Sequence, residues 1–146
     1  MPTQGVDVLT SVLMRQRFRH AAINRMIDRK LGTKGSVYHV KADNLPGNEV
    51  SRTFEGGQHG QASVSFFLVH NSPGQGPELH HHPYDETFII LEGQVLVQVG
   101  DETVVGGPGD IVVGPPDVPH GFTNVGPGQA RLVCIHAAPA MQTTFT

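Results

Sequence analysis

The twenty residues from Gly74 to Gly93 read Gly-Gln-Gly-Pro-Glu-Leu-His-His-His-Pro-Tyr-Asp-Glu-Thr-Phe-Ile-Ile-Leu-Glu-Gly. On an extended strand, side chains alternate between faces with period two, so His80 and His82 point the same way and His81 points away. Glu86 stands an even number of residues further on and can return to that face even if Pro83 bends the chain. Two imidazoles and a carboxylate on one side of a strand pair are a donor set for a divalent transition metal. The chain holds nine His against ten Lys and Arg, so imidazole is unusually prominent here.

A second element runs from Gly109 through Asp110, Gly114, Pro115, Asp117 and His120 to Asn124. A strand ends there in a proline-rich turn that delivers one histidine. Alone, His120 reads as a surface or core residue. Beside the first cluster it is a candidate fourth ligand.

Working outward, short apolar runs separated by turn residues read as strands at Val37–Val40, Val50–Phe54, Ala62–His70, Thr87–Leu91, Gln94–Val99, Thr103–Val105, Ile111–Val113 and Ala130–His136. Gly93 marks a tight turn, read as a hairpin reversal. Among the 146 residues are 18 Gly and 11 Pro, a load that suits a turn-rich all-β domain, and eight or more short strands argue a closed barrel or jelly roll. No apolar stretch approaches the ~18 residues of a membrane-spanning helix. The one cysteine, Cys134, permits no internal disulfide and suits an intracellular location, with the cytoplasm expected.

Charge divides the chain. Residues 1–35 hold seven basic and two acidic residues, a local +5, whereas residues 36–146 carry a local −8. A body of that sign repels polyanions, so nucleic acid is not an expected partner. Residues 7–31 lack Pro and Gly and place Leu9, Leu13, Ile23, Ile27 and Leu31 on one helical face. This predicts a basic helical extension over 1–35, read as a packed arm, a transit segment, a membrane-surface helix or a start-site artefact, ahead of a barrel domain over 36–146.

Gly74-x5-His80-x-His82-x3-Glu86-x6-Gly93 matches the first cupin motif at every position. Gly109-x5-Pro115-x-Asp117-x2-His120-x3-Asn124 matches the second except at Asp117, where the family pattern has glycine. The chain thus resembles a small single-domain cupin. That resemblance implies a double-stranded β-helix, with His80, His82, Glu86 and His120 as ligands of one metal near the barrel axis, and a homodimer. A three-His, one-carboxylate set leaves one or two positions open on a five- or six-coordinate ion and suits Fe, Mn, Co, Ni, Cu or Zn without choosing among them. Asn124, Thr87 and Gln94 are candidate supports for the ligands. Either parity of the 62–70 strand brings a Phe toward the axis; Phe66, Phe122 and His136 are the candidate contacts to a small-molecule substrate.

The resulting functional expectation is a metal-dependent oxidoreductase of dioxygenase type acting on a small organic substrate. The alternatives are a non-catalytic binding or sensor barrel, and a metal-assisted isomerase or decarboxylase. The last needs a separate acid or base near the substrate, and a phosphosugar version needs cations, of which the body has only Lys41, Arg52 and Arg131.

Overall fold

The structure, a computed structural model, describes residues 36–146. The expected helix over 7–31 lies outside the described residues. The order of elements is a single 3-10 turn at Ala42–Asn44, then β1 (Ser51–Phe54), β2 (Ser65–Asn71), β3 (His80–His81), β4 (Glu86–Glu92), β5 (Val95–Val99), β6 (Glu102–Gly106), β7 (Ile111–Gly114), β8 (His120–Asn124), β9 (Ala130–His136) and β10 (Thr144–Phe145). No helix among the described residues is long and apolar enough to cross a membrane.

The strands form two five-stranded antiparallel sheets, ordered β1-β2-β9-β4-β7 and β10-β3-β8-β5-β6. This is the double-stranded β-helix, in which the chain passes repeatedly between the two sheets and closes a barrel around one core. Gly93 serves that passage. It lies between β4 of one sheet and β5 of the other, so the turn changes sheets and is not the in-sheet hairpin expected from sequence. Its φ is +85°, a left-handed conformation, and a Cβ there would lie 2.7 Å from the Gln129 carbonyl oxygen. Both constraints call for glycine.

Alternation sorts each strand into a core face and an outer face. Phe88, Ile90, Val95, Val97 and Leu132 are essentially fully buried between the sheets. Removing ~25 cal/mol per Å² of apolar area from water makes this cluster the main support of the barrel. The opposite parity of the β1–β7 sheet leaves apolar side chains on its outside, with Leu91 48%, Ile111 64% and Val113 52% exposed.

Some strand expectations fail. Val37–Val40 forms no strand, because no segment among the described residues pairs with it, and residues 62–64 precede β2 in a turn region. Conversely, β8 and β10 went unread. β8 carries Gly121 and polar residues that weaken a propensity signal, and β10 has only two residues.

Candidate metal centre

The register of the two sheets brings the chemistry-bearing residues to one level of the barrel. His80 of β3 lies opposite His120 of β8, and Glu86 of β4 lies opposite both His136 of β9 and Gly114 of β7. His82 follows β3 just before Pro83. His80, His82, Glu86 and His120 are all buried, and each offers one ligand atom within 4.8 Å of the others. His81 turns away, as alternation requires, with its ring 3.8 Å from the Asp117 carboxylate.

Backbone carbonyls set the ring orientations. The Nδ1–H of His80 donates to the Glu78 carbonyl at 2.7 Å, and that of His120 to the Val118 carbonyl at 2.8 Å. The Nδ1–H of His82 donates to the Gln142 carbonyl at 2.5 Å. A carbonyl only accepts, so each Nδ1 carries the proton and each Nε2 presents a lone pair inward. Those Nε2 atoms lie 3.6 Å (His80), 3.1 Å (His82) and 2.8 Å (His120) from Glu86 Oε2.

Three lone pairs aimed at one carboxylate oxygen repel one another unless a cation stands between them. Protons can partly serve. Burial acts to lower the His80 pKa, yet the Glu86 carboxylate and the hydrogen bond to the Glu78 carbonyl outweigh it and raise the pKa. Burial likewise acts to raise the Glu86 carboxyl, and the four surrounding imidazoles overcome it, holding the group far below the ordinary carboxylate range. A transition metal serves better. Ligand bonds of about 2.1 Å place neighbouring donors roughly 3 Å apart and opposite ones about 4.2 Å apart, which is the scale of this cluster. The residues present fit such an ion.

Other sequence-nominated residues sit elsewhere. His136 does not line the cavity described below; it is fully buried in contact with the carboxylate, its Nε2 3.2 Å from Glu86 Oε1. Its N–H direction misses that oxygen, and neither ring nitrogen has a hydrogen-bond partner among the described residues. Phe66 is on the outer face, its ring stacked on Phe54 at 4.5 Å, and Phe67 faces inward in its place. Thr87 is also on the outer face, and Gln94 is exposed. Asn124 holds a turn: its amide donates to the Asn71 and Gly128 carbonyls, and its Oδ1 accepts from Gly126 N–H.

Asp117, the departure from the second motif, has φ +60°. The turn needs a left-handed residue, which explains glycine in the family pattern, and Asp is among the side chains that tolerate this conformation. Its N–H donates to the His82 carbonyl at 2.7 Å, tying the second motif to the first. Sequence reading missed Gln142. Gln142 acts through its main-chain oxygen, for which no side-chain signal exists, and its N–H donates to the Tyr84 hydroxyl at 2.7 Å.

A cavity of about 450 Å³ opens beside the cluster, reaching His80 and Glu86 but not His82 or His120. Phe67, Val69, Phe122 and Cys134 form its apolar wall, and exposed Val50 and Gln75 stand at its edge. Burial pushes the Cys134 thiol well above its ordinary pKa, so it stays protonated and behaves as a small apolar group.

The Cupin domain family model matches residues 67–136. Polyketide synthase CurC from Streptomyces cyaneus is 37% identical over 68 residues, 46% of this chain and 44% of that protein; the match therefore spans less than half of that relative. The crystal structure of TT1209 from Thermus thermophilus superposes with a TM-score of 0.56 at 26% identity, covering 70% of this chain and 98% of that one. An oxalate oxidase structure gives a TM-score of 0.65 at 19% identity over 82% of this chain and 75% of that one, a likeness of fold. With both motifs, the two-sheet barrel and the family match in agreement, this chain carries a cupin domain at residues 67–136.

Proposed function

We propose that the barrel holds one divalent transition-metal ion on His80, His82, Glu86 and His120, and that it is a metal-dependent oxidoreductase of dioxygenase type acting on a small organic molecule. One observation carries the reading: three imidazoles, each fixed by a backbone carbonyl, aim Nε2 at a single buried carboxylate oxygen, and a largely apolar cavity meets the cluster on one side. Fe or Mn bound there would supply a redox couple and open coordination positions. The chain's own residues do the rest. The Glu78, Gln142 and Val118 carbonyls hold the rings, and His136 packs against the second oxygen of Glu86. Phe67, Val69 and Phe122 keep water from the bound molecule.

The cavity equipment disfavours the isomerase or decarboxylase reading. Among the described residues its titratable lining groups are His80, Glu86 and the protonated Cys134, and none of these is a separate acid or base beside the substrate. A non-catalytic binding barrel is the second reading, favoured by that same sparsity of polar groups.

Elemental analysis of protein purified without chelator or metal column tests the proposal. About one equivalent of metal is expected, with substrate-dependent oxygen uptake after loading with Fe(II) or Mn(II). His82→Ala and His120→Ala should each lower metal retention by at least an order of magnitude. Retention equal to the parent would overturn the ligand assignment, and metal-dependent binding without oxygen uptake would favour the binding barrel.

The reading extends to a homodimer through the outer face of the β1–β7 sheet, supported by the exposed apolar side chains of Leu91, Ile111 and Val113. Light scattering should give twice the protomer mass, and Ile111→Glu should return the monomer. A monomeric parent would refute it.

A further inference from the structure

The cavity has a second end that the metal reading does not use. In register, Ser65 of β2 lies opposite His136, which lies opposite Glu86, so this level marks the cluster. Asn71 of β2 lies six residues further along, opposite Ala130. At ~3.3 Å per residue the two levels are about 20 Å apart along the strand. The same cavity touches both Glu86 and Asn71. It is therefore long, with the inward-facing Phe67 and Val69 of β2 between its ends.

Asn71 is only 3% exposed, and its side-chain Oδ1 has no hydrogen-bond partner among the described residues. Its main-chain carbonyl is already occupied by the Asn124 amide at 2.9 Å, which fixes the backbone there. A buried amide oxygen without a donor is costly in apolar surroundings and is normally satisfied. A hydroxyl or N–H arriving with a ligand would satisfy it once the amide swings toward the cavity that Asn71 lines. Charge adds a third constraint. Among the described residues no Lys or Arg lines the cavity, and the one anionic group there is Glu86. A second carboxylate or a phosphate would find no counter-charge.

We infer that the ligand of this barrel is an elongated, largely apolar molecule with one oxygen-bearing head group at the metal end and a hydrogen-bond donor at the Asn71 end. It carries no second negative charge. The head-group attachment rests on the metal reading proposed above; the apolar body and the distal donor rest on the cavity alone.

Four carboxylates test this: acetate, decanoate, 10-hydroxydecanoate and sebacate (the ten-carbon diacid). The full chain, loaded with Co(II), is titrated with each and binding is followed by the visible Co(II) bands. Decanoate should bind at least tenfold tighter than acetate. 10-Hydroxydecanoate should bind about fivefold tighter than decanoate, and sebacate more weakly than decanoate. Asn71→Leu should abolish the preference for the hydroxyl while leaving Co(II) content unchanged; Asn71→Ala serves the same purpose if the leucine variant does not fold. Equal affinity for acetate and decanoate, tighter binding of sebacate, or a hydroxyl preference that survives the loss of Asn71 would each overturn the inference. Failure to take up Co(II) would sink the metal reading separately. The thermal shift given by decanoate to the metal-free protein then reads the cavity by itself: a stabilisation upholds the apolar ligand, and its absence overturns it.

Discussion

Gly114→Ala separates the geometry of the cluster from the stability of the barrel. Gly114 lies beside Glu86 in the sheet, faces the interior, and has no left-handed φ that would itself forbid a side chain. A Cβ built there would stand 2.9 Å from His120 Nδ1, 3.2 Å from its Cγ and 3.4 Å from its Cε1. Ordinary contact requires about 3.4–3.5 Å, so the imidazole must retreat by about half an ångström. It is pinned by its bond to the Val118 carbonyl and by burial on every side, so the retreat is transmitted to Nε2. Metal–ligand distances tolerate only ~0.2 Å. The expected outcome is a fall in metal affinity of about 10- to 100-fold, with an overpacking cost of roughly 1–3 kcal/mol. Calorimetric or competition titration with Zn(II) measures the first, and urea unfolding the second. Gly107→Ala is the control, because among the described residues nothing lies within 4 Å of its Cβ position. If Gly114→Ala bound Zn(II) within twofold of the parent, His120 would not be the ligand that its position suggests.

Three further outcomes are expected. Removal of residues 141–146 deletes the carbonyl that holds His82 together with β10, and should lower metal affinity by about one to two orders of magnitude while the circular dichroism of the barrel persists; unchanged affinity would show that the Gln142 contact is dispensable. Cys134, buried and with its pKa pushed up, has less thiolate at any pH than a free cysteine. It should resist iodoacetamide at pH 8 in the folded protein and react once urea is added, and fast labelling of the native state would contradict the burial. Asn124→Ala strips three hydrogen bonds from the turn after β8 and should destabilise the protein by about 2–4 kcal/mol in urea without changing metal stoichiometry; a loss of metal at full stability would reassign this residue to the cluster.

How far the sequence carried the reading depends on what kind of signal each feature leaves. Two histidines at i and i+2 with a glutamate six residues beyond the first are a period-two pattern, and the convergence of His80, His82 and Glu86 follows from strand geometry. His120 joined them through motif spacing. The inward face of β2 was different. Phe66 and Phe67 are adjacent, and both parities of the strand are apolar, so alternation gave no direction; only the pairing of Ser65 with His136 shows that the odd residues face the core. His136 was visible as a histidine, but its contact with Glu86 depends on β9 lying next to β4 in the sheet. The Gln142 carbonyl is invisible to any reading of side chains. Asn124 matched the motif, and its role in that motif is to hold a turn.

The position of β9 has a consequence for motion. It is among the later strands in the chain, yet it sits in the centre of its sheet, bonded to β2 on one side and β4 on the other. Strands fray from edges inward, and an inner strand can release its amides only when the sheet comes apart. Amide hydrogens of Leu132 to Ile135 should therefore exchange with deuterium on the timescale of global unfolding, while those of β1 and β10, at the sheet edges, exchange by local opening. Glu86 and His136 are a neighbouring pair across β4 and β9, so the carboxylate at the heart of the cluster is anchored in the slowest-opening part of the molecule. The Glu86–His136 side of the cluster is thereby rigid, and local opening is left to the sheet edges at β1 and β10.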